Sequence, residues 1–306
     1  MSEEGPPVDD LLMAWLDALA SIHRPSAMLH AGTAGLIDRS ARRRGAMAIV
    51  RGLSISLARP LRPDTAEAAQ VRWGRARPAF DVEVSVIYRG GGVVVAFDHI
   101  ELDCHGIGLT HIDALNHVGR RGTWTHGWAP EDPEGPSVAD LADAGLFTRA
   151  VLVDIPSVRG TPWVDPEQPV TGQDIDAALS SAGIRFESGD ALLINMGRDQ
   201  YEADGGEYRR PQSGLPQPGV GWDGARWIAD HDVSIVCWDF LDADHPTEPR
   251  GCVHGLPWAI GLILIDNCSL GPAARALGGT GVGALSVSPL RIPGGTGCVV
   301  NPQLLL

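Results

Sequence analysis

The order of apolar and polar positions along the chain predicts its elements. In PVDDLLMAWLDALASI, apolar residues fall at Leu12, Trp15, Leu16, Leu19 and Ile22, which is helical spacing with Asp9 or Asp10 as N-cap. Residues 25 to 45 show no period and read as irregular. AMAIVRGLSISLARP then alternates at Leu53, Ile55 and Leu57, as a strand does. DVEVSVIYRGGGVVVAFDHIEL reads as two strands around a turn at Gly90 to Gly92. Further strands are predicted at 149–155, 191–195 and 233–239, and helices at 174–183 and 224–231. VHGLPWAIGLILID, from Val253, reads as a buried helix feeding a strand.

Strands and short helices alternate through the second half, which predicts an α/β fold with a mixed sheet. The parse is an N-terminal helical extension over 1–45 and one catalytic domain over 46–306. The Gly- and Pro-rich stretch 202–222 is expected to be a long loop of functional weight.

Composition narrows the function classes. A chain of 306 residues with 44% hydrophobic and 20% charged residues has the balance of a globular protein. The net charge of −14 argues against binding nucleic acid or anionic membrane. The short basic run Arg42 to Arg44 reads as solvated surface. Five widely spaced cysteines without a CxxC pair suggest a reduced, cytoplasmic setting. MSEEGPP lacks the features of a signal peptide, and the longest apolar run, Leu256 to Ile265, contains Pro257, so no membrane span is expected.

The chemistry concentrates in HGIGLTHIDALNH, residues 105 to 117. On extended chain, His111 and Asp113 share a face, and imidazole with carboxylate suits Zn, Mn or Fe. His117 follows one turn later and His105 precedes by six residues. Four such groups are hard to satisfy as ordinary core polar residues. The aromatic residues Trp124 and Trp128, in GTWTHGW, and Trp238 are candidates for a planar-ligand pocket. Arg198, in NMGRDQY, is a candidate for binding a substrate carboxylate, or a structural ion pair. The glycine-rich GGTGVGAL, from Gly278, lacks a phosphate-loop signature and reads as a turn.

THIDALNH resembles the THxDAxxH signature of the cyclase family of metal-dependent hydrolases, which includes bacterial kynurenine formamidase and isatin hydrolase. RAVLVDI, GDALLINMGR and SGLPQPGVGWDGARWIADHDVSIVCWD resemble further segments of that family, in the same order, over roughly residues 50 to 305. The resemblance implies a swivelling β/β/α domain, a dimer or tetramer, a divalent metal (Zn or Mn) and a small amide or lactam substrate. It implies His111, Asp113, His254 and Asp266 as metal ligands and His117 as catalytic acid/base. The family's first histidine falls at Ile107 here. His105 lies two residues early: either a bulge allowed by Gly106 and Gly108 brings it in as a ligand, or the first ligand is absent. Asp266 replaces the family's usual glutamate and reaches less far. Two alternatives are a non-hydrolytic, polyketide cyclase-like member of the same fold, and an iron oxygenase using His111, Asp113 and His254. The oxygenase requires an all-β jelly roll, which the alternating pattern opposes.

Overall fold

The structure is a computed structural model that describes residues 8–22, 28–61, 70–72, 75–77, 80–208 and 216–306. The chain opens with α1 (Val8–Ala20) and α2 (Arg39–Ala48), then β1 (Ser54–Ser56) and the short pair β2 (Gln70–Arg72) and β3 (Arg75–Arg77). A long hairpin follows, β4 (Phe80–Arg89) and β5 (Val93–Leu102), then β6 (His111–Asp113) and α3 (Val138–Ala144). The central α/β run comprises β7 (Leu146–Asp154), α4 (Ile155–Arg159), α5 (Gly172–Ser181), β8 (Ala191–Asn195), α6 (Arg198–Ala203), α7 (Trp222–Asp230) and β9 (Ile235–Trp238). The chain closes with α8 (Leu256–Ile260), β10 (Ile263–Asp266), α9 (Gly271–Leu277), β11 (Gly281–Val287), β12 (Gly297–Val299) and β13 (Gln303–Leu305).

Nine strands form one mixed sheet in the order β1-β13-β11-β7-β8-β9-β10-β6-β12. The four central strands, β7 to β10, are parallel, and every residue of β8, β9 and β10 is buried. Such strands are covered on both faces, which is why they read as unbroken apolar runs. The two-residue period still decides which face each side chain joins. Val151, Leu192 and Leu264 join the cluster around Trp238 and Phe240, under α1, α5, α7 and α8. Leu152, Leu193 and Ile265 join the opposite cluster, with residues of α2, α3 and α9. This is the expected α/β class; a parallel core does not suit the jelly roll of an oxygenase.

Two local expectations need correction. Helix α2 occupies part of the segment read as irregular, and it also takes Ala46 to Ala48 from the predicted strand, leaving only Ser54 to Ser56 as β1. Asp38 starts the helix by accepting from the Ala41 N–H. The basic run on it is not merely solvated. The Arg42 guanidinium donates to the Gly145 and Ala144 carbonyls, and Arg44 lies 3.0 Å from the buried Asp190 carboxylate.

The N-terminal segment locks onto the edge of the sheet that carries the histidines. A Cβ on Gly32 would lie 2.0 Å from the Gly261 carbonyl oxygen, so only glycine permits this approach, and its φ of +53° suits glycine too. The neighbouring Thr33 hydroxyl donates to the Ser234 carbonyl and accepts from the Ile263 N–H, so it ties the start of β10 to the residue before β9.

The β4–β5 hairpin pairs over ten positions and, among the described residues, belongs to no larger sheet. Register places Val82, Val84, Val86, Tyr88, Val94 and Ile100 on one face. That face is solvent-exposed, with Val84 at 57%, Ile100 at 56% and Tyr88 at 79%. Among the described residues, no helix is long and apolar enough to cross a membrane.

Candidate metal centre

Strand β6 is three residues long, and its alternation sets the site. Ile112 turns into the core, while His111 and Asp113 share the other face. Antiparallel pairing with β10 sets His111 directly opposite Asp266. Cross-strand partners face one another at close range, so His111 Nε2 comes within 4.0 Å of Asp266 Oδ2 and 3.5 Å of Asp113 Oδ1. On the other side, β12 sets Gly297 opposite Asp113. A Cβ there would lie 2.8 Å from His105 Cε1, so this glycine makes the space His105 fills.

His105 reaches the cluster by consecutive turns after β5, not by the expected strand bulge. Its Nδ1 is 3.0 Å from Asp113 Oδ1 and its Nε2 3.0 Å from the Thr296 hydroxyl. Ile107, where the family has its first histidine, packs into the apolar core instead. His117 follows Asp113 through a turn rather than a helix, with its Nε2 3.9 Å from Asp113 Oδ1. His105 and His117 stack face to face, centroids 3.7 Å apart.

The remaining groups come from the end of β9, the turn before α8 and the end of β10. His254 Nε2 lies 3.2 Å from Asp266 Oδ2, and its Nδ1 is held by Asp242. Trp238 donates its indole N–H to Asp266 Oδ1 at 2.6 Å. His111 Nδ1 donates to the Leu109 carbonyl at 2.8 Å, which turns the Nε2 lone pair toward the carboxylates. A histidine whose outer nitrogen is fixed by a carbonyl or carboxylate is the usual dress of a metal ligand.

Charges follow from burial and proximity. Burial raises the Asp113 carboxyl, but the His105 hydrogen bond and the nearby His111 and His117 outweigh it and hold the group well below the usual range. Burial lowers His117, against the pull of Asp113. Burial also disfavours charge on His254, yet Asp266 and Asp242 on either side raise it well above its ordinary value.

The donor set fits a divalent cation. His105, Asp113 and His117 form one group whose ligand atoms all lie within 4.8 Å, and His111, Asp113 and Asp266 form another. Asp113 Oδ2 is buried without a hydrogen-bond partner in the protein, and a buried orphan carboxylate oxygen calls for a cation.

Residues 55–245 match the Cyclase family model, well over half of the 306 residues. The chain belongs to the cyclase family. No curated protein sequence matches it. Among solved structures, one described as a novel cyclase superposes with a TM-score of 0.73 at 22% identity, covering 90% of this chain and 94% of its own. One described as a "predicted metal-dependent hydrolase" from Bacillus stearothermophilus gives 0.50 at 19%, covering 82% and 97%. Isatin hydrolase A from Labrenzia aggregata bound to benzyl benzoate gives 0.59 at 20%, covering 85% and 96%. At such identities the likeness shows a shared fold, and the chemistry must be read from side chains.

Not every residue singled out in the sequence lies open to a substrate. Arg198 is buried and its donors are used within the protein: Glu202, the Asp239 carbonyl, Asn267 Oδ1 and the Ile107 carbonyl, with its guanidinium 4.5 Å over the Tyr208 ring. It is a strut for the loop carrying His105, so the carboxylate-binding reading gives way to the structural one. Trp238 is wholly buried and acts through Asp266. Trp128 packs on His30, with centroids 5.2 Å apart. Trp124 lies over Gly119, close after His117, where a Cβ would meet its ring at 2.7 Å.

The sequence reading missed Asp242, Asn267, Thr296 and Gly297. Asn267 adopts φ of +57° and donates its side-chain amide to the Gly106 and Leu109 carbonyls, so it shapes the turn that presents His105 and orients His111. The adjacency of Asn267 to Asp266 was a usable signal. Asp242 in DFLDADH carried none, because three aspartates stand there within six residues.

Proposed function

We propose that this protein is a metal-dependent hydrolase that opens a C–N bond in a small amide, lactam or N-formyl aryl amide. One observation carries the reading: His105, His111 and His117 all lie within 3.9 Å of Oδ1 of the buried Asp113, Asp266 joins His111 and Asp113 in one ligand-type group, and Asp113 Oδ2 beside them is buried without a partner. His105, His111, Asp113, His254 and Asp266 would hold a divalent metal, Zn or Mn. When bound, such an ion supplies Lewis acidity, which makes water a better nucleophile near neutral pH and polarises a carbonyl.

The protein's own part is proton handling and orientation. His117 is the most open of the cluster, with 29% of its side chain exposed, and burial keeps it largely neutral near pH 7. It is placed to take a proton from water and return it to the leaving nitrogen. Asp242 and Trp238 fix His254 and Asp266 from behind. Trp124, seven residues after His117 and packed over Gly119, is our candidate aromatic wall for a planar substrate such as the lactam that isatin hydrolase is named for.

We read the protein as a homo-oligomer. A two-stranded hairpin with exposed apolar residues on both faces, Val84 and Ile100 on one and Ile87 and Phe97 on the other, is marginal in water by itself, and a second copy would cover one of them.

The test is metal analysis with an amide panel. Protein purified and reloaded with Zn or Mn should hydrolyse isatin or an N-formyl aryl amide, with activity lost on chelation. Protein that takes up neither metal, or takes it up and hydrolyses no amide or lactam, would sink the reading.

A further inference from the structure

The carboxyl edge of the parallel strands carries a cavity at the ends of β7 and β8, with β9 and β10 lying between it and the histidines on β6. It encloses about 290 Å³ and is lined by Asp154, Asn195, Ser157, Arg275 and the Gly278–Gly279 turn, among others. Ends of parallel strands are where open α/β sheets take small ligands.

Three observations give the cavity a chemistry. Asn195 is 5% exposed and donates its side-chain amide to Asp154 Oδ1 at 2.7 Å. That bond fixes the amide orientation, since the reverse would set oxygen against carboxylate. Asn195 Oδ1 is therefore a committed acceptor, and it is buried with no partner in the protein. Asp154 is 7% exposed, receives the Ser157 hydroxyl as well, and has no arginine, lysine or histidine bonded to it. On the rim, the Arg275 guanidinium forms no hydrogen bond or ion pair with any described residue. Acceptors and uncompensated negative charge lie inside, and a free cation lies outside.

Glycines keep the space open. Gly279 has φ of +115°, a region closed to other residues, and a Cβ there would come within 3.9 Å of both Asp154 Oδ2 and Ser157 Oγ. The GGTGVGAL stretch thus forms a cavity wall rather than an isolated turn.

We propose that this cavity binds a small zwitterion of the α-amino acid class, its ammonium on Asn195 Oδ1 and Asp154 and its carboxylate on Arg275. The volume lies just under the ~300–1,000 Å³ of ligand pockets, enough for a small amino acid. The buried Arg198, Asp239 and Asn267 stand between this cavity and the histidine cluster, so the two are separate places on one sheet edge.

The probe is L-alanine, titrated calorimetrically into the full chain, with propionate and ethylamine as half-probes. L-Alanine should bind, and bind more tightly than either half. Asn195→Leu, which keeps volume but removes the acceptor, and Arg275→Gln, at an exposed position, should each weaken it about tenfold or more. A thermal melt checks folding of the Asn195 variant; if it fails to fold, Arg275→Gln decides. No binding of L-alanine, or binding that both folded variants leave unchanged, overturns the proposal.

Discussion

The rings of His105 and His117 lie parallel within 5°, centroids 3.7 Å apart, and both face the same oxygen, Oδ1 of Asp113. Shared geometry does not mean shared work. His105 is held between Asp113 and Thr296, whereas His117 stands at the opening.

The pair can be separated by ring replacement. His117→Phe keeps the stack and should leave metal content unchanged while lowering kcat about 10²–10⁴-fold. His105→Phe should lower metal content itself. Elemental analysis beside steady-state kinetics reads both. Loss of metal in the His117 variant would make it a ligand and reverse the assignment.

Asp242 grips His254 from the side away from Asp266. Asp242→Asn keeps the size but not the charge, and metal affinity should fall about 10–100-fold. Competition with a chromophoric chelator measures this. An unchanged affinity would remove His254 from the ligand set.

Asn267 joins Arg198 to the turn before β6. Asn267→Ala removes one of the four partners of the buried Arg198 guanidinium and one donor each from the Gly106 and Leu109 carbonyls, and loses a residue suited to positive φ. The expected cost is about 2–4 kcal/mol in urea unfolding. A cost near zero would mean that the loop is held by other means.

Asp174 caps α5 with Thr171 and pairs with Arg159, whose Nε is 3.0 Å away. Burial raises its carboxyl, but these partners prevail and hold it below its ordinary value. A carboxyl lowered in the native state stabilises above its unfolded value, and that stability is lost as pH falls through the native one. Asp174→Asn should therefore cost about 1–2 kcal/mol at neutral pH and much less near pH 3. A pH-independent difference would contradict the linkage.

The exposed hairpin gives a test of assembly. Val84→Lys with Ile100→Lys should shift sedimentation toward the monomer while leaving the melting temperature of the body almost unchanged. A wild-type monomer at micromolar concentration would remove self-association as the cover for this face.

The sequence made the strands legible where burial is two-sided, as in ALLIN, and the hairpin where period and glycine turn agree. It made THIDALNH legible because a two-residue period places His111 and Asp113 together without tertiary knowledge. What it hid depends on register. Asp266 meets His111 because β10 runs antiparallel to β6, and Gly297 clears space for His105 because β12 is the next strand out. Helix α2 was hidden because RSARRR carries charge rather than an apolar stripe, and its cap at Asp38 is a single residue.

The Thr33 latch has a consequence for how the protein comes into being. Its hydroxyl joins partners 201 and 230 residues further along, and β1 pairs with β13 at the far end of the chain. During synthesis α2 can meet residues 144 to 190 early, but Thr33 waits for its partners until Ser234 and Ile263 have emerged. Contacts of such long range form slowly, so the sheet edge bearing the histidines closes among the last parts of the molecule. A nascent chain halted short of Ile263 has no metal edge to offer, however well its first half has collapsed.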